Sequence, residues 1–161
     1  MQPPAPSPQH QWLARLVGEW ASEMPHRLPD GTEIILRSTE TARMIGHFWL
    51  LLEGKGDMPD GGICEYQITI GFNSETGRFP GTWIGSPMPT LWLYDGELSA
   101  DETVLTLHCK GPFFDGKGGT TDFQDIIEIQ DADHRLFTGR YRDRNGEWVQ
   151  MMQSRATRVS T

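Results

Sequence analysis

Cys64-Glu65-Tyr66-Gln67-Ile68-Thr69-Ile70-Gly71-Phe72 carries a bulky apolar or thiol side chain at every second position, with polar or small residues between. A period of two is that of an extended strand with one face turned to a core. The same alternation returns over residues 122–129. There Phe123, Asp125, Ile127 and Ile129 share one face, and Asp122, Gln124, Ile126 and Glu128 the other.

Working outward, turn signals punctuate the whole chain. They fall at Asp30-Gly31, Gly46, Asp60-Gly61-Gly62, Asn73 to Gly77, Pro87 to Pro89, Ser99 to Glu102, Gly116 to Gly119, Asp131 to Asp133 and Asn145-Gly146. Their spacing of roughly 12 to 17 residues leaves room for strands of about 8 to 10 residues joined by short loops. Asn145-Gly146 is the strongest hairpin signal, since both residues tolerate the positive φ of a type I′ turn. About ten antiparallel strands paired in order can bring the last against the first and remove both edges. The expected fold is therefore all-β, an antiparallel up-and-down barrel of about ten strands, with two stacked sheets as the competing architecture. At that strand number the interior is wider than side chains alone fill.

One helical signal precedes the strands. Trp12, Leu13, Leu16 and Val17 share a face over His10 to Val17, a short N-terminal helix able to cap one mouth of the barrel. Gly18-Glu19-Trp20 follows, a residue without a side chain where the chain bends in and then a large plug for the closed end. The Pro-rich residues 1–8 read as a disordered tail, and residues 9–161 as a single barrel domain.

Composition bounds the function. With 161 residues, Gly 18, Pro 11 and 37% hydrophobic residues, the chain suits one domain of many short elements. A formal net charge of -8 argues against nucleic-acid and anionic-membrane partners. There is no apolar run of membrane-spanning length and no secretory signal, so a cytoplasmic location is expected. Cys64 and Cys109 fit that compartment as reduced thiols. The five histidines lack metal-ligand spacing, no metal site is expected, and no cofactor is specified.

Several stretches together resemble the bacterial family called domain of unknown function 1579: Trp12 to Trp20 (WLARLVGEW), Phe48 to Asp57 with Met58-Pro59, Gly81-Thr82-Trp83-Ile84, Met88 to Tyr94 (MPTLWLY), and Gly146 to Gln150. The resemblance covers about residues 9 to 156. It implies a lipocalin-like, calycin-type barrel and no particular reaction. Gly18-x-Trp20 also resembles the first lipocalin motif, in which a late basic residue packs over the tryptophan. Arg155 is the candidate.

Strand parity nominates the interior residues. Trp20 facing inward carries Ser22, Met24 and His26 with it, the alternation around Ile34 and Leu36 carries Ser38, Glu40 and Ala42, and that around Phe123 carries Asp125. An inward carboxylate must be paired or hydrogen-bonded; Arg140 and Arg155 are the candidate partners. Six tryptophans are many for this length, and Trp83 and Trp92 flank the rigid Ser86 to Pro89 loop. A ligand-binding set of Trp20, His26, Glu40, Trp49, Trp83, Met88, Trp92, Tyr94 and Asp125 is expected around a small hydrophobic or amphipathic ligand. The alternatives are an enzyme with Glu40 or His26 as general base and Tyr94 or a tryptophan orienting substrate, and a structural or partner-binding barrel. Phe48 to Leu52 is apolar throughout and suits a homodimer contact as well as a buried wall.

Overall fold

The ten expected strands are present and close on themselves. A computed structural model covering residues 1–161 places them in the circular order β1-β10-β9-β8-β7-β6-β5-β4-β3-β2. They are β1 (Gly18–Arg27), β2 (Glu33–Ile45), β3 (Trp49–Asp57), β4 (Ile63–Gly71), β5 (Phe79–Gly85), β6 (Met88–Leu98), β7 (Val104–Pro112), β8 (Thr120–Asp131), β9 (His134–Arg142) and β10 (Trp148–Ser160), preceded by the helix α1 (Pro8–Ala14). Every neighbouring pair is antiparallel, including the closing pair β1 with β10. No helix is long and apolar enough to cross a membrane.

Three hairpins share one loop design. Leu28 N–H donates to Thr32 C=O, Met58 N–H to Gly62 C=O and Asp143 N–H to Glu147 C=O, and in each the fourth residue's N–H returns to the first carbonyl. That fourth residue is Gly31, Gly61 or Gly146, with φ of 88°, 88° and 80°. Asn145 does not take a positive φ, so the expected two-residue type I′ turn is replaced by a three-residue loop with its glycine at the left-handed position.

The helix closes one end. Trp12, Leu13 and Leu16 are buried in the core, and the Trp12 indole N–H donates to Glu102 C=O (2.7 Å) in the β6–β7 turn. At the helix start, Ser7 N–H donates to His10 Nδ1 (2.9 Å) and His10 Nε2 lies 3.0 Å from Phe72 C=O. Nδ1 therefore accepts, and Nε2 carries the proton that ties the helix to the end of β4.

Gly18-Glu19-Trp20 sits where this end is sealed. Gly18 has φ of 137°, and a Cβ there would lie 2.7 Å from Ser160 C=O and against the Arg158 guanidinium. The space a side chain would occupy is used by Arg158, which donates to Val17 C=O and to Arg15 C=O (2.8 Å) and so caps the carbonyls after the helix. Arg158 and Arg135 both lie over the Trp20 ring, at 4.4 and 4.6 Å from its centre. Arg155, the expected partner of that ring, is exposed. Ser154, Ala156 and Arg158 hold the inward parity on β10, and Arg155 falls between Ser154 and Ala156 on the outer face.

Phe48 to Leu52 divides by face. Leu50 and Leu52 are buried inward, whereas Trp49 is 44% exposed and lies across Gly71 on the outer wall. Leu51 also faces outward yet is only 7% exposed.

Candidate functional site

Opposite the helix-capped end, the barrel holds a cavity of about 350 Å³. Its wall combines large apolar residues, among them Met24, Leu36, Ile68, Trp83, Trp92, Phe123 and Phe137, with small inward ones such as Ser22, Ser38, Cys64, Cys109, Gly139 and Ser154. The small residues leave the volume that a ten-strand circumference provides. At the rim, Phe114 and Met151 are exposed. A register shift between Gln150 and Met152 lets two successive residues, Met151 and Met152, both line the cavity, as a bulge does by setting two residues opposite one.

Two polar centres interrupt this wall. The first lies toward the closed end, where Glu40 and Arg135 form an ion pair with both side chains about 95% buried. Tyr66 O–H donates to the other Glu40 oxygen at 2.8 Å. Register explains the reach: Glu40 pairs with Gly54 and Gly54 with Tyr66, and a Cβ on Gly54 would strike the Tyr66 ring. Glycine on the intervening strand lets the phenol cross it. Arg135 likewise crosses β10 at Ala156, and its Nε has no hydrogen-bond partner. Burial, with the adjacent Glu40 charge next, pushes the Tyr66 phenol well above its ordinary range, so it stays a neutral donor.

The second centre is Asp125. One carboxyl oxygen accepts the Tyr94 O–H from β6; the other, Oδ1, lies over Gly139 on β9, 3.5 Å from where a Cβ would stand. Burial raises the Asp125 carboxyl to about 6, with the Tyr94 hydrogen bond opposing. Burial and then the Asp125 charge lift the Cys109 thiol to about 12, so it is un-ionised at neutral pH. Asp125 pairs with Gly139, four residues from Arg135 and hence about 13 Å along β9. The two polar centres are thus separate, with Phe137 between them on the strand.

The folded value of the Asp125 carboxyl lies above the ordinary 3.8, so between about pH 4 and 6 the folded chain binds more protons than the unfolded one, and stability falls as pH rises through that window. Asp125→Asn is expected to match the parent below pH 4. Above pH 6 it should exceed it by on the order of 2–3 kcal/mol in urea unfolding; an unchanged difference across the window would show that Asp125 is not desolvated.

The sequence-derived residues separate into groups. Glu40, Trp83, Met88, Trp92 and Asp125 line the cavity, and Tyr94 supports Asp125 from behind. Trp20 belongs to the closed end, its indole N–H donating to Leu16 C=O at 2.9 Å. Two placements are corrected. Trp49 faces outward. His26 has the inward parity but lies beyond the cavity lining, near the end of β1, where it pairs with Ile34. Ile34 and Glu40 are six positions apart on β2, about 20 Å of strand, so His26 and Glu40 are outside hydrogen-bond reach.

The expected partners of the carboxylates are corrected as well. Asp125 takes Tyr94 and Glu40 takes Arg135 and Tyr66, whereas Arg140 points outward, bonded to Gln124 and stacked 4.8 Å from the Trp148 ring centre. Arg135, Tyr66 and Gly139 were not singled out by sequence. Tyr66 shares the inward parity of Cys64 and Ile68, a signal that names the face and not the partner.

The family model described as "Protein of unknown function (DUF1579)" matches residues 5–158. The chain belongs to the DUF1579 family. Among curated proteins no relative matches. Among solved structures the DUF1579 barrel is similar to Rv2717c from M. tuberculosis, at 14% identity, with 96% of this chain and 99% of that chain covered and a TM-score of 0.61. It is also similar to the S-type phycobiliprotein lyase CPES from Guillardia theta, at 14% identity, 95% and 92% coverage and a TM-score of 0.55. At these identities the likeness is one of fold.

Proposed function

We propose that this DUF1579 protein is a small-molecule binding barrel whose interior holds an apolar or amphipathic ligand. The observation that carries the reading is the cavity itself. Of its 25 lining residues 15 are hydrophobic, and its few polar groups converge from Asp125 and from the Glu40 centre, the usual composition of a ligand site. Glu40, Trp83, Met88, Trp92 and Asp125 are the proposed contacts, with Tyr94 positioning Asp125. Two free thiols, Cys64 and Cys109, suit a reducing compartment, and the cytoplasm is the proposed location.

The enzyme reading has less support. One similar barrel is a lyase by name, but the His26 and Glu40 pair that would supply acid and base here is not assembled. Self-association is the second reading, favoured by Ile84, Leu91 and Leu93, which are 46%, 56% and 63% exposed on the outer face of β5 and β6.

Titration with the neutral probe 1-naphthalenemethanol, read by quenching of Trp83 and Trp92 emission, tests the binding reading. Saturable one-to-one binding is expected, weakened at least tenfold by Ser154→Phe, which places a ring in the cavity. Absence of saturable binding, or binding indifferent to that substitution, would count against it.

A further inference from the structure

We infer that the ligand is a cation: an aromatic or apolar body carrying a protonated amine, seated in the cavity with its ammonium hydrogen-bonded to Oδ1 of Asp125. The inference rests on the binding reading above and adds its charge. Asp125 lines the cavity with one oxygen committed to the Tyr94 hydroxyl and Oδ1 without a partner in the protein. No side chain covers Oδ1 from β9, because its register partner is Gly139.

The groups facing Asp125 leave its charge unmatched. From β6 it meets the neutral Tyr94, from β7 the un-ionised Cys109, and from β9 a glycine. The one cation at the cavity floor, Arg135, is bound to Glu40, so that pair contributes no net charge. At the mouth Arg37 is paired with Glu23, and Asp57 accepts the Arg37 backbone N–H. The interior therefore carries an excess of negative charge at one carboxylate. A carboxylate held in an apolar wall is stable only when something offsets it. An ammonium does so through a charge-assisted hydrogen bond, and Trp92 and Phe123 line the same cavity, where aromatic rings favour a cation. The net charge of -8 raises the local concentration of cations outside.

With the carboxyl raised to about 6, Asp125 is largely ionised at pH 7.5 and largely protonated at pH 5. The preference for an amine is therefore expected to grow with pH across that interval.

Three probes of one shape test the inference: 1-naphthylmethylamine, 1-naphthalenemethanol and 1-naphthoate, titrated at pH 7.5 and pH 5 by tryptophan quenching. The amine is expected to bind about tenfold tighter than the alcohol at pH 7.5, with the carboxylate weakest, and the amine-to-alcohol ratio to shrink toward one at pH 5. Asp125→Asn should bring that ratio to about one at both pH values; circular dichroism checks that the variant folds, and the pH comparison on the parent protein stands if it does not. Binding of the alcohol with no advantage to the amine would overturn the inference and leave the cavity reading intact. Binding of none of the three would overturn both.

Discussion

Glu40→Ala is expected to lower stability by about 3–5 kcal/mol, the cost of stripping a buried ion of its partner. Arg135 would remain 95% buried, with its Nε still unpartnered and the Tyr66 hydroxyl stripped of its acceptor. The size of the effect comes from what is left behind, since an intact buried pair contributes little against an apolar replacement of equal volume. The double variant Glu40→Leu/Arg135→Met should accordingly recover most of the loss. Guanidinium unfolding measures both. A Glu40→Ala cost below 1 kcal/mol would mean that water reaches the pair.

Trp20→Ala is the second large effect, again about 3–5 kcal/mol, as for other buried aromatics cut to alanine. Trp20 is 2% exposed, its indole N–H holds Leu16 C=O, and its ring seats both Arg135 and Arg158. Because Arg158 in turn holds the carbonyls of Arg15 and Val17, the loss should spread to the helix. Amide exchange in α1 is expected to accelerate more than exchange in β5 and β6. Trp20→Phe keeps the ring and loses the indole donor, so it should cost only about 1 kcal/mol. Equal effects of the two substitutions would place the stabilisation in the hydrogen bond alone.

Much of the barrel is legible from local pattern. Alternation such as Cys64 to Phe72 and glycines such as Gly31, Gly61 and Gly146 mark strand faces and loops, because both depend on short-range backbone geometry. Phe48 to Leu52 was not legible: an unbroken apolar run has no parity, and its faces appear only when Trp49 is found across Gly71. Partners were illegible for a different reason. Glu40 meets Arg135 across 95 positions of sequence, and Arg135 and Tyr66 reach it only because Ala156 and Gly54 stand where their long side chains must cross. Such crossings follow from register around the closed barrel, which one strand's composition does not encode. Arg155 shows the same limit: the choice between it and Arg158 is one of parity on β10, a strand whose register shifts at Gln150 to Met152. His26 has the right parity and the wrong height, since β1 runs on past the cavity.

The most direct test of a hollow, ligand-receiving interior is a crystal structure of the protein with 1-naphthalenemethanol bound. The naphthalene ring is expected inside the barrel, in contact with Trp83, Trp92 and Phe123. A probe found only on the outer face, with those side chains packed against one another across a filled interior, would contradict the account.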